Sequence, residues 1–332
     1  MTALPTVVLT VSPDHPDATA LERAASVLRA GGLVALPTET VYGLGANALD
    51  AQAVARIFAA KDRPADNPLI VHVDGLEMAR KLVADWPELA DRLAREFWPG
   101  PLTLVLPKAA HVPDIVTAGG AAVALRMPAH AVALALIRMA GTPIAAPSAN
   151  RSTRPSPTDA AHVWADMAGR IDLIVDGGPA AVGIESTVLS LLADPPLVLR
   201  PGGVSLDDLR AIDPRIGYGT DQGKVSPGMR YRHYAPKAPI ARVGTAEALA
   251  DEARHLLCEG LKVGILTHLP LSFPAEEFDV VRLPNDPDGY AAGFYRALRE
   301  LDARGVDRIV LQDPPTGGRW DAVQDRVKRA AG

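Results

Sequence analysis

Lys61-Asp62-Arg63-Pro64-Ala65-Asp66-Asn67-Pro68-Leu69-Ile70-Val71-His72-Val73 carries the chain from the end of a helix into a strand. Upstream, Asp50 is placed to cap a helix whose inner face is Val54, Ile57 and Phe58, and Pro64 forbids its continuation. Downstream, Leu69 to Val73 is an apolar run of strand length. Helix, polar loop and strand in immediate succession predict an α/β fold. The loop also carries two cations, Lys61 and Arg63, with the amide Asn67 and the imidazole His72. Basic and amide groups at a strand end suit a site that holds a polyanion beside a polar substrate. Lys61 and Arg63 also stand where the helix macrodipole favours cations for purely structural reasons.

Working outward, Asp17 to Ala30 reads as a helix with Leu21, Ala24, Ala25 and Leu28 on one stripe, stopped by Gly31-Gly32. Strands are predicted at Leu33–Leu36, Leu69–Val73, Leu102–Leu106, Ala122–Arg126, Ile144–Ala146, Leu173–Val175, Thr187–Leu191 and Val198–Arg200. A helical pattern from Met78 to Phe97 breaks at Pro87. The hairpin-length gap at Asp194-Pro195-Pro196 argues for a mixed rather than a purely parallel sheet. Ile212 to Pro239 has no periodicity and reads as a linker or functional loop. From Ile240 the pattern resets, with strands at Ile240–Val243, Lys262–Leu266, Asp279–Leu283 and Arg308–Leu311. Helices fall near Ala246–Glu259, Ala291–Arg304 and Ala322–Ala330. That alternation predicts a small, mainly parallel, Rossmann-like sheet.

Composition bounds the function. At 332 residues the chain is long for one core, so two domains are expected. The net charge of −5 gives no global drive toward nucleic acid, and 5% aromatics argue against an autonomous RNA-binding module. Cys258 is the sole cysteine, which excludes an intramolecular disulfide and a cysteine-based zinc site and favours the cytoplasm. Met1 to Pro16 lacks the basic-then-apolar pattern of a signal peptide, and no 18-residue apolar run is present.

Several further segments carry chemistry. Pro37-Thr38-Glu39-Thr40-Val41-Tyr42-Gly43-Leu44-Gly45 follows a strand. Gly43 to Ala48 fits a dinucleotide fingerprint in letters, but about a dozen residues separate strand and helix where that motif needs a tight turn. The hydroxyls of Thr38, Thr40 and Tyr42 suit a small polar ligand better. Arg126 ends an otherwise apolar strand and must be paired, either by a ligand carboxylate or by a structural Asp or Glu. Pro147-Ser148-Ala149-Asn150 and Ser156 form a polar loop after a strand. Gly183-Ile184-Glu185-Ser186-Thr187 precedes a strand, and Arg200-Pro201-Gly202-Gly203 ends one. Tyr231-Arg232-His233-Tyr234 reads either as a lid or as linker packing.

These segments together resemble the Sua5/YrdC family of L-threonylcarbamoyladenylate synthases in its two-domain form. The resemblance rests on PTETVYGLG (37–45), KDRPADNPLIVHV (61–73), WPGPLTLVL (98–106), VALRMP (123–128) and PSAN (147–150). It continues through GIESTVLS (183–190), LRPGG (199–203) and SPGMRYRHYAP (226–236). It implies a YrdC-like catalytic domain over residues 1–212, a twisted mixed sheet flanked by helices. A linker or lid would follow over 213–239, and a small Rossmann-like α/β domain over 240–332. The implied activity joins L-threonine, bicarbonate and ATP, with Mg2+ carried by the phosphates rather than by protein ligands. Implied threonine contacts are Thr40, His72, Arg126, Ala146 and Ser186. Implied ATP contacts are Arg63, Asn67, Ala122, Ser148, Asn150, Ser156, Arg200 and Tyr234, and Lys61 with Arg63 would supply the catalytic charge. Implied partners are the downstream tRNA threonylcarbamoyl transferase machinery and, weakly, tRNA itself, with no membrane.

Overall fold

Residues 5–219 and 234–332 are described by the computed structural model. The chain divides into two units: Met1–Ser152 with Ser156–Ala181 and Glu185–Tyr231, and Thr153–Pro155 with Val182–Ile184 and Arg232–Gly332. The first unit runs β1 (Val7–Thr10), α1 (Ala18–Arg29), β2 (Val34–Leu36), β3 (Gly43–Asn47), α2 (Ala51–Lys61) and β4 (Ile70–His72). Next come α3 (Leu76–Lys81), α4 (Glu88–Phe97), β5 (Leu102–Pro107), β6 (Ala122–Arg126), α5 (Ala131–Ala140) and β7 (Ile144–Ala145). It closes with α6 (Ala160–Met167), β8 (Leu173–Asp176), β9 (Thr187–Ser190), β10 (Leu197–Arg200), α7 (Leu206–Ile212) and β11 (Gly217–Tyr218).

The strands form a sheet of order β1-β8-β2-β3-β7-β4-β6-β5-β9-β10-β11. Pairing is mixed, as the sequence predicts. For example, β4 and β6 are parallel, β5 and β6 are antiparallel, and the short Pro-rich gap joins β9 and β10 antiparallel. Alternation along the strands sends Val71, Leu104, Val123, Leu125 and Ala145 into a core with the apolar faces of α2, α4 and α6. On the other face, Val34, Leu36, Ile144 and Ala146 pack with α1 and α5. Further along that face, Ile70, Val105, Ala124, Val188 and Leu199 make a smaller cluster. Asp17 and Asp50 cap α1 and α2 through their side-chain oxygens.

In the second unit β12 (Ile240–Val243), α8 (Ala246–Cys258), β13 (Val263–Thr267), β14 (Asp279–Arg282), α9 (Pro287–Ala303), β15 (Arg308–Gln312) and α10 (Trp320–Ala331) follow in order. The sheet order is β12-β15-β13-β14, with all neighbours parallel. Leu249, Ala253, Val263, Ile265 and Val310 are at its core.

Three elements depart from the sequence reading. Residues 43–47, read as part of a polar loop, form β3 between β2 and β7. The short edge strand β1 pairs with β8. Within the aperiodic stretch after Ile212, Ile216 is buried and β11 pairs along β10. The lid expectation at Tyr231, Arg232 and His233 lies outside the described residues. Among the described residues, no helix is long and apolar enough to cross a membrane.

Candidate active site

Register brings the first group of predicted residues together. His72 and Arg126 are direct partners across parallel β4 and β6. Leu104 opposes Leu125 across antiparallel β5 and β6, so Thr103 falls opposite Arg126. Partners in register share a face, so His72, Arg126 and Thr103 form one row across three strands. Two residues back along the same face stand Ile70 and Ala124, and then Ala122. Ile144 opposes His72, so Ala146 is on this face too, and its N–H donates to the Ile70 carbonyl at 2.9 Å. Apolar side chains, three of them alanines, thus floor the surface from which the polar groups rise.

Arg126 is only 3% exposed, and its guanidinium is fixed on three sides. Nε donates to the Gly100 carbonyl at 3.2 Å, Nη1 donates to Thr40 Oγ1 at 2.8 Å, and Nη2 stands 2.6 Å from Glu39 Oε1. Of the two pairings open to it from sequence, a structural carboxylate is therefore present. Beyond Thr103 the row continues, with Thr103 Oγ1 2.7 Å from Ser186 Oγ. Arg200, also 3% exposed, donates from Nη2 to the Ser186 carbonyl at 2.9 Å and to Ser186 Oγ at 3.3 Å. Ser156 Oγ donates to Glu185 Oε1 at 2.6 Å, next to Ser186 in sequence.

A second group gathers at the C-terminal end of α2. Asp62 takes a left-handed conformation that ends the helix. Lys61 is 1% exposed, and its Nζ donates to the carbonyls of Ser148 and Asn150. Arg63 Nη2 donates to the carbonyls of Asn67 and Pro68 at 3.3 and 3.2 Å. The 147–150 loop is stitched to β3, because Leu44 N–H donates to the Pro147 carbonyl and Ala149 N–H to the Tyr42 carbonyl. Ala146 leads directly from the floor of the first group into this loop. Tyr234 belongs to the second unit, where its ring lies 5.3 Å from that of Tyr295 and beneath the Arg326 guanidinium at 5.5 Å.

Burial sets the electrostatics. Desolvation, aided by the Arg126 charge, pushes the His72 imidazole down to about 3, so it is neutral at physiological pH. Tyr42, proposed from sequence as a ligand hydroxyl, instead donates to the Gly178 carbonyl at 2.7 Å, and burial raises its pKa. Thr38 Oγ1 donates to the Val41 carbonyl at 2.6 Å. A cavity of about 340 Å³ opens elsewhere in the first unit, beside Asp74, Met78, Lys81 and Pro143, and no predicted site residue lines it. Among the described residues, no three His, Cys, Asp or Glu side chains converge to hold a metal.

The Sua5/YciO/YrdC family, described as telomere recombination, matches residues 26–202, and the threonylcarbamoyl-AMP synthase C-terminal domain matches residues 204–332. The chain belongs to the Sua5/YciO/YrdC family. It is 47% identical over 321 residues to threonylcarbamoyl-AMP synthase of Pyrococcus abyssi, covering 93% of both chains. A shorter relative, a putative threonylcarbamoyl-AMP synthase of Mycobacterium tuberculosis strain H37Rv, is 40% identical over 190 residues, 57% of this chain and 87% of its own. The crystal structure of P. abyssi Sua5 complexed with L-threonine superposes with a TM-score of 0.92 at 44% identity, covering 98% of each chain.

Sequence reasoning missed Glu39, Thr103 and Glu185, the partners of Arg126, Ser186 and Ser156. One signal in the sequence pointed to Glu39: it is the one acidic or basic residue in the run from Gly32 to Ala46.

Proposed function

We propose that this member of the Sua5/YciO/YrdC family is an L-threonylcarbamoyladenylate synthase, a nucleotidyltransferase joining L-threonine, bicarbonate and ATP. The products are threonylcarbamoyl-AMP, pyrophosphate and water, the first step toward N6-threonylcarbamoyladenosine at position 37 of tRNA. The observation that carries this reading is Arg126, held beside Thr40 and His72 over a floor of Ala122, Ala124 and Ala146.

In this reading Arg126 receives the carboxylate of threonine, and Thr40, His72, Ser186 and the backbone of Ala146 orient the amino acid. Neutral His72 hydrogen-bonds without repelling the ammonium. Once deprotonated, the amine adds to the carbon of bicarbonate with loss of water, giving a carbamate. A carbamate oxygen then attacks the α-phosphorus as pyrophosphate leaves. No protein nucleophile is required, so the chain contributes orientation and charge neutralisation. Arg63, Asn67, Ala122, Ser148, Asn150, Ser156, Arg200 and Tyr234 would hold ATP. Lys61 acts at the nucleotide through the Ser148–Asn150 loop it fastens, and adds its charge there. Mg2+ would enter on the ATP phosphates. The product, a mixed anhydride, passes to the tRNA threonylcarbamoyl transferase machinery in the cytoplasm, with at most weak contact to tRNA.

Pyrophosphate release tests the reading. It is expected only when threonine, bicarbonate and ATP are all present; release that persists without threonine would overturn it.

A further inference from the structure

Glu39 has no place in the chemistry above, yet its position is unusual. Its side chain is 9% exposed and that of Arg126 is 4%, with 2.6 Å between Oε1 and Nη2. Neither Glu39 oxygen completes an aligned hydrogen bond, and neither does Arg126 Nη2. Charge, rather than directed hydrogen bonding, joins the two. Nε donates to the Gly100 carbonyl and one Nη1 hydrogen goes to Thr40, which leaves N–H groups on Nη1 and Nη2 for a ligand carboxylate. His130, whose Nδ1 is buried without a partner, also lies in the field of Glu39.

Both carboxylate oxygens are closed to solvent, so Glu39 acts through Arg126 and through its field rather than by touching substrate. A lone buried arginine attracts any anion, including the phosphates that the neighbouring cations are placed to hold. With Glu39 behind it, Arg126 has a compensated charge and its surroundings become a dipole. A carboxylate at the guanidinium still gains its hydrogen bonds, but a ligand with only negative charge meets repulsion from Glu39. A zwitterion matches both ends, since its ammonium lies in an attractive field.

We propose that Glu39 is the positioning and specificity-determining residue that restricts the Arg126 subsite to zwitterionic α-amino acids. The inference rests on the reading that Arg126 receives the threonine carboxylate. A unit charge a few ångströms away in a poorly polarisable interior changes affinity by about ten-fold or more.

The test is calorimetric binding of L-threonine and of 2,3-dihydroxybutanoate, which has a hydroxyl in place of the ammonium, to the full-length protein. In Glu39→Gln the preference for threonine over the hydroxy acid is expected to shrink about ten-fold or more, while ATP affinity changes by less than about three-fold. Glu39→Asp, which keeps the charge but withdraws it by one methylene, should give an intermediate preference. Equal weakening of both ligands in Glu39→Gln, or an unchanged preference, overturns the proposal. Should Glu39→Gln fail to fold, a preference in Glu39→Asp equal to that of the unsubstituted protein does the same. Unsubstituted protein that binds ATP but no threonine would instead overturn the reading of Arg126, and the proposal with it.

Discussion

Lys61 is a cation almost wholly removed from water whose ammonium is spent on two carbonyls of another loop. Replacing it with Met keeps the length and apolar stem but leaves those acceptors unmet. A cost of about 1–3 kcal/mol in stability is expected, visible in denaturant melts. Pyrophosphate release should fall by about a hundred-fold or more, because the loop carrying Ser148 and Asn150 loses both its anchor and its charge. Near-normal turnover would remove Lys61 from the mechanism. His72 makes a different, pH-linked prediction. Its folded pKa is pushed down to about 3, against the ordinary 6.5. Between those values the unfolded chain takes up a proton that the folded protein refuses. Its contribution is therefore fully present above pH 6.5 and is lost as pH falls toward 3. A His72→Gln protein should lose less melting temperature on moving from neutral pH to about pH 4.5; equal losses in both proteins would contradict the buried, neutral imidazole.

At the scale of elements, the close approach of the chain leaving β10 to the start of β9 depends on Gly202. A Cβ there would fall 2.3 Å from the Ser186 carbonyl carbon and from the Thr187 nitrogen. Backbone cannot yield as a flexible side chain can, so Gly202→Ala should force Arg200 away from Ser186. Destabilisation of about 1–3 kcal/mol is expected, together with loss of ATP binding by calorimetry. A variant that binds ATP normally would show that the approach of Arg200 to Ser186 is dispensable. The same scale explains what was legible in the sequence. The second unit alternates apolar strands with long amphipathic helices, so periodicity alone located its strands and its helices. β3 was not legible because Gly-Leu-Gly-Ala-Asn has no β-branched residue. Its glycines are needed for packing instead, since a Cβ on Gly45 would meet Ile144 at 2.8 Å and Leu36 at 2.9 Å. The polar loops announced themselves by composition, but their partnerships did not. Glu39 meets Arg126, and Thr103 meets Ser186, across more than eighty residues of chain. No spacing rule encodes contacts that only the sheet order creates.

For the whole molecule, the question is where the first unit can be cut and what is lost. Ending it at Ile212 would remove β11 from the edge of β10 and Ile216, 1% exposed, from the core. Arg210 Nε would also lose the Ile216 carbonyl, to which it donates at 3.0 Å. A fragment of residues 1–219 should therefore fold and bind threonine, whereas a fragment of residues 1–212 should be less stable by about 2 kcal/mol. Turnover should behave differently from binding. Tyr234, expected to contact ATP, is held in the second unit against Tyr295 and Arg326. A fragment of residues 1–239 keeps Tyr234 but removes Tyr295 and Arg326 from beside its ring. Threonine affinity should then be retained while pyrophosphate release falls by about ten-fold or more, as expected for a lost positioning contact. Full turnover by that fragment would mean that the tyrosine needs no support from the second unit, and the purpose of that unit would have to be sought outside the synthase reaction.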